Sequence, residues 1–170
     1  FVLDQTTPRQ HRLFSYSPGF MFYQPTSSLN ELNQNALVQY QFRLTPHSSI
    51  SLNDVFVDSS TSFLSSNSGV GGTVSGSAQF ATPQVIPPFA RQLSNQANAV
   101  FTLQPGLNTM FGASGMATLL RYPNPSEASG LYNSSARGGS AFYNRRLTES
   151  QFIGGTYEYS DFLSYPPNAT

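Results

Sequence analysis

The feature that most constrains this chain is an alternation. From Ala36 to Leu44 it reads ALVQYQFRL, placing Val38, Tyr40, Phe42 and Leu44 in one phase and Gln39, Gln41 and Arg43 in the other. Strand side chains point to opposite faces with period two, so the segment reads as a strand with one apolar and one polar face. The apolar face needs either a protein core or a lipid bilayer against it.

The same phase pattern recurs. Phe14, Tyr16, Phe20 and Phe22 alternate with Ser15, Ser17, Gly19 and Met21, with Pro18 weakening a central-strand assignment. Ala97, Ala99, Phe101 and Leu103 alternate with Asn98, Val100 and Thr102, and Phe111, Ala113, Ala117 and Leu119 with Gly112, Ser114, Met116 and Thr118. Ile153, Gly155, Tyr157 and Tyr159 alternate with Gly154, Thr156, Glu158 and Ser160. In the stretch 49 to 58, Ile50 and Leu52 fall in one phase but Val55 and Val57 in the other, which predicts a bulge near Asn53 and Asp54.

Short polar turns close these strands into hairpins. LTPHS (44 to 48), LQPGLN (103 to 108) and LTESQ (147 to 151) share a pattern, and LDQTTPRQ (3 to 10) is a looser copy. Pro and Gly pre-set turn dihedrals, while Asn, Ser and Thr bond the local backbone. The other connections, at 24 to 33, 59 to 94 and 122 to 136, are longer and rich in Ser, Asn, Gly and Pro. The stretch 59 to 94 is longer than an unstructured connection in a compact soluble domain commonly runs.

Composition narrows the setting. Among 170 residues only 9% are charged, 14% are aromatic, and Lys plus Arg equals Asp plus Glu at eight each. A soluble domain is roughly one quarter charged, so this chain is poorly equipped to coat a surface with ions. The zero balance and the lack of a basic stripe argue against nucleic acid. Without cysteine there is no disulfide, thiolate metal site or cysteine nucleophile. The start at Phe1, with no Met and no leader pattern, reads as a processed or partial chain. No apolar run approaches the roughly 20 residues of a spanning helix, but a barrel strand carries its lipid signal only at every second position.

The strand pairs ALVQYQFRL/SSISLNDVF, NAVFTL/NTMFGASGMATLL and SAFYNRRL/QFIGGTYEYSDFL resemble a segment of a Gram-negative outer-membrane β-barrel protein of the large, poorly characterised type. That resemblance implies an all-β, up-and-down antiparallel meander of about seven to eight strands, counting a truncated one at Phe1 to Asp4, within a transmembrane barrel. The whole span 1 to 170 would be one barrel segment in the bacterial outer membrane, joined to the remaining strands of a parent barrel. The end at SYPPNAT, without a terminal aromatic strand, implies an internal piece. Lipid-facing candidates are Val38, Tyr40, Phe42, Leu44, Phe101, Leu103, Phe111, Leu119, Tyr157 and Tyr159. Lumen-facing candidates are Gln39, Gln41, Arg43, Ser114, Thr118, Asn144, Arg146, Thr156, Glu158 and Ser160, a set that would meet water and small polar solutes. Tyr23, Tyr122 and Tyr165 stand where interface aromatics would.

Nothing assembles into catalytic machinery, so a non-enzymatic pore, transport or scaffold role is expected, with no cofactor and no metal. His11 and His47 lie in or beside turns. Asp54 and Asp58 share a strand face but stand about 13 Å apart, too far for joint acid and base work. SGVGG and ARGGS lack the strand-to-helix setting and lysine of a phosphate loop and read as loop glycines. NSS at Asn133 and NAT at Asn168 match a glycosylation sequon that is accidental in a bacterial protein. The competing reading is a soluble secreted β-sandwich used for binding or adhesion, whose strands alternate in the same way.

Overall fold

The computed structural model describes residues 1–22, 31–59, 90–124 and 130–166. The chain forms one all-antiparallel sheet in simple sequence order, with β1 Val2–Thr6, β2 Gln10–Met21, β3 Glu31–Thr45, β4 Ser48–Ser59, β5 Gln92–Gly106, β6 Thr109–Arg121, β7 Asn133–Arg146 and β8 Phe152–Tyr165. Each strand contacts only its sequence neighbours, so the sheet is an open eight-stranded meander compatible with a segment of a β-barrel. No helix among the described residues is long and apolar enough to cross a membrane, which says nothing about strands.

In such a meander alternate connections fall at opposite ends. The turns after β1, β3, β5 and β7 are the short ones, and all lie at one end. In the first, Thr7 and Gln10 exchange backbone hydrogen bonds of 2.7 and 3.3 Å. Pro46 and His47 form the second, where the His47 N–H donates to Thr45 Oγ1 at 3.2 Å. At the opposite end β3, β5 and β7 begin a few residues inside the stretches expected to be loops, at Glu31, Gln92 and Asn133. Asn33, Ser94 and Ser134 look like turn residues but are ladder members, paired with Gly19, Val57 and Ser164. The interiors of those long connections lie outside the described residues.

Two local expectations are overturned. No bulge occurs at Asn53 and Asp54, because β3 and β4 pair continuously from Gln34↔Asp58 to Arg43↔Ser49 and the register shifts only between Arg43 and Thr45. Val55 and Val57 therefore join the polar face, where Val55 pairs with Leu37 to make a small apolar patch. ARGGS is not a loop either: Arg137, Gly138, Gly139 and Ser140 lie inside β7. There a Cβ at Gly138 would stand 2.9 Å from the Tyr159 carbonyl oxygen of β8. SGVGG lies outside the described residues.

Pro18 fits inside β2 for a definable reason. Backbone N–H groups alternate between the two neighbouring strands. The Tyr16 N–H donates to the Phe1 carbonyl at 2.8 Å, so the Pro18 nitrogen points to that same side, beyond the ladder β1 makes, while Pro18 still pairs with Gln34 of β3. A missing donor costs least there.

Conventional core is scarce. Among the described residues the buried apolar cluster is Ala90, Tyr122 and Leu131, with Leu120 packed against it, all at the long-connection end. Tyr122 is only 3% exposed, so it packs inward and does not present itself to an interface; burial pushes its phenol pKa up. Tyr165 is half-buried at the end of β8, and Tyr23 lies outside the described residues. Asn133 is buried, and its Oδ1 accepts from the Tyr122 N–H at 2.8 Å, so this sequon could not accept a glycan in the fold.

Candidate functional site: two faces of one sheet

Residues directly opposite each other across a ladder share a face, so the register assigns the paired side chains. One apolar row runs Gln10, Phe42, Ile50, Phe101, Ala113, Ala141 and Tyr157, and the next runs Arg12, Tyr40, Leu52, Ala99, Gly115, Gly139 and Tyr159. Val38, Leu103, Phe111 and Leu119 stand on this same face. Leu44 falls within the register shift, so pairing does not fix its side. The face is lined with aromatic contacts: Tyr40 stacks with Phe42 at a centroid distance of 6.2 Å, and Phe111 tilts against Tyr143 at 5.0 Å.

The other face carries the row His11, Gln41, Ser51, Val100, Ser114, Ser140 and Glu158, and beside it Leu13, Gln39, Asn53, Asn98, Met116, Gly138 and Ser160. Arg43, Thr118, Asn144, Arg146 and Thr156 lie on this face too. Hydroxyls bridge strands here, Ser49 to Thr102 at 2.7 Å and Ser114 to Ser140 at 2.8 Å. A ring fills one gap: Phe142 lies over Gly112, its direct partner, where a Cβ would collide with it.

In β6 and the middle of β7 accessibility runs opposite to that of a water-soluble sheet. In β6 the exposed residues from Phe111 onward are Phe111, Ala113, Ala117 and Arg121, all on the apolar face, whereas Ser114, Met116, Thr118 and Leu120 are half-buried. In β7, Arg137 and Ala141 are exposed while Ser134, Ala136, Ser140 and Phe142 are half-buried, and toward the short turn Asn144, Arg145 and Arg146 are exposed on both faces. Side chains crowd on the inside of a curved sheet and spread on its outside. The polar face is the crowded one.

The apolar residues do not run level across the register. On β2 they are Phe14, Tyr16, Pro18 and Phe20, and below them stand Arg12 and Gln10. On β8 they are Ile153, Tyr157 and Tyr159, then the charge of Asp161, with Leu163 and Tyr165 beyond it. Yet Tyr157 and Tyr159 are level with Gln10 and Arg12, while Asp161 and Leu163 are level with Phe14 and Tyr16. The edge of this stretch toward the short turns thus descends from Phe14 on β2 to Ile153 on β8, about 27 Å along the strands over about 29 Å of sheet width, while on β3, β4 and β6 its opposite edge stays level with Tyr16, at Ala36, Phe56 and Leu119. The slope is roughly 40°. Charges bracket the band on β7, where Arg137 and Arg145 lie about 27 Å apart along the strand. The Arg137 guanidinium pairs with Asp161 at 3.2 Å.

The remaining polar groups are structurally engaged. Asp58, its side chain 5% exposed, takes a two-pronged ion pair from Arg91 Nε and Nη2 at 2.9 and 2.6 Å. Asp54 accepts from Asn95 Nδ2 at 2.8 Å, so the two carboxylates on this strand are held by separate partners. His11 Nε2 lies 3.0 Å from Asp4 Oδ1. Among the described residues no three His, Cys, Asp or Glu side chains gather as a metal site would require. The one buried polar atom without a partner among them is Asn53 Oδ1 on the polar face.

Comparison with family models, with curated proteins and with solved structures finds no match to this chain.

Proposed function

We propose that the chain is a segment of a bacterial outer-membrane β-barrel, its apolar face against lipid and its polar face toward the barrel interior, serving a non-enzymatic pore, transport or scaffold role. The observation that carries this reading is the slant of the apolar band's edge toward the short turns. Barrel strands tilt by roughly 35 to 45° from the barrel axis, so a membrane slab perpendicular to that axis must cut the register diagonally at a comparable slope. A sheet covered by a second sheet has no such requirement, since aligned sandwich layers keep their strands within about 30° of each other.

The closer packing of the polar face in β6 and the middle of β7 supports the same reading, as does the gathering of the short turns at one end. In outer-membrane barrels the short turns are periplasmic and the long loops extracellular. The outer edges of β1 and β8 are unpaired among the described residues. Open edges in lipid cost several kcal/mol per unsatisfied group, so the further strands of a parent barrel are the partners this reading requires.

The absence of native cysteine permits a clean topology test. Leu107→Cys places a thiol in a short turn, at a residue 94% exposed, and Tyr132→Cys places one at the opposite end, at a residue 49% exposed. In cells expressing the parent protein, an impermeant maleimide should label Tyr132→Cys on intact cells and Leu107→Cys only after the outer membrane is permeabilised. The protein itself should sediment with outer membranes and require detergent for extraction. Recovery of a folded monomer in detergent-free buffer would overturn the proposal in favour of a soluble sandwich.

A further inference from the structure

At the short-turn end of the polar face two arginines stand opposite each other. The Arg43 N–H donates to the Arg9 carbonyl at 2.8 Å, one step past the Gln10↔Phe42 pair. Opposed residues hold their Cβ atoms about 5 Å apart, and like charges placed so are destabilising. Both residues are exposed. Among the described residues the ion pairs go elsewhere, to His11–Asp4, Arg91–Asp58 and Arg137–Asp161, and neither the Arg9 nor the Arg43 guanidinium has a hydrogen-bond partner.

The surroundings add neutral donors, and the nearest acid, Asp4, is held behind the lining by His11 at 3.0 Å. A cavity of about 430 Å³ opens over the pair, lined also by His11, His47, Ser49 and Thr102, and no Asp or Glu side chain contributes to its wall. Ser49 and Thr102 bond each other at 2.7 Å. One hydroxyl of such a pair donates to the other, which leaves the second free to donate into the cavity.

We propose that Arg9 and Arg43 form a binding site for a doubly charged oxyanion, a phosphate group on its own or carried by a small solute. A dianion matches the two guanidinium charges, and the planar forks of arginine suit its oxygens. This inference is independent of what covers the apolar face. It gives the polar face a preference for anions at its short-turn end.

The test is the thermal unfolding midpoint of the protein in phosphate-free detergent, followed as inorganic phosphate is added at constant ionic strength. A ligand that binds only the folded state raises the midpoint in a saturable way. Phosphate should do so in the millimolar range, and acetate should need at least roughly tenfold more, as expected for loss of one charge-assisted contact. Arg9→Gln and Arg43→Gln should each weaken the phosphate response by a similar factor, while Arg145→Gln, on the other face, should leave it unchanged. Without phosphate, Arg43→Gln should not lower the midpoint, because it relieves a repulsion. Should a variant fail to fold, broadening of the phosphorus NMR line by the unaltered protein supplies the same answer. A midpoint and line width indifferent to phosphate, or a response that survives in the double Arg9→Gln, Arg43→Gln variant, would overturn the site.

Discussion

Phe42→Arg should destabilise the folded protein in defined lipid vesicles by about 2 to 4 kcal/mol, whereas Gln41→Arg, one residue away, should cost a small fraction of that. Phe42 lies in the apolar row with Ile50 and Phe101, and Gln41 in the polar row with Ser51 and Ser114. An arginine at Phe42 must be pulled into hydrocarbon or must snorkel out of it, while one at Gln41 stays among hydroxyls and water. A protein core would also reject Phe42→Arg, so Phe42→Leu completes the comparison. A fluid bilayer accepts leucine with little loss, but a close-packed core registers the missing ring as a cavity costing about 1 kcal/mol or more. Denaturant titration of the three variants distinguishes lipid from protein as the neighbour.

The second large effect follows from the slant, and it reverses between two levels of the same sheet. Gln10 of β2 and Tyr157 of β8 are level, as are Tyr16 and Leu163. If the membrane cuts the register diagonally, Tyr157→Arg should cost about 2 to 4 kcal/mol and Gln10→Arg close to nothing. Three same-face rows higher along β2, beyond the charge of Asp161 on β8, the order inverts, with Tyr16→Arg expensive and Leu163→Arg cheap. Tyr16 also donates its hydroxyl to Gln34 Oε1 at 3.1 Å, so Tyr16→Phe provides the reference that removes this bond alone. Equal costs for the members of each level would mean that no tilted slab covers this face.

Much of this architecture was legible from side-chain chemistry alone. Alternation of the kind in Ala36 to Leu44 has only one extended-chain reading, and turn residues such as Pro46-His47 mark where the chain reverses, so the hairpins followed, although β5 runs on through Pro105 to Gly106. Strand starts were misjudged because Asn133, Ser134 and Ser135 carry loop chemistry but find ladder partners in Tyr165, Ser164 and Leu163. The bulge expected at Asn53 and Asp54 arose from treating Val55 and Val57 as belonging to the apolar face; Val55 keeps phase and meets Leu37 on the polar one. Neither the slant nor the arginine pair could be read from the chain. Both depend on register between segments far apart in sequence, such as Arg9 against Arg43, and pairwise alternation carries no information about how strands slide past one another.

The most direct test of the central claim asks what solvent each face of β3 touches. Single cysteines at 37 through 42, each bearing a nitroxide, would be compared in lipid vesicles for collision with oxygen, which concentrates in hydrocarbon, and with a water-soluble nickel chelate. The account predicts strict period-two behaviour, with oxygen contact maximal at Val38, Tyr40 and Phe42 and chelate contact maximal at Leu37, Gln39 and Gln41. Protection of positions 38, 40 and 42 from both reagents would show this face packed against protein and would contradict it.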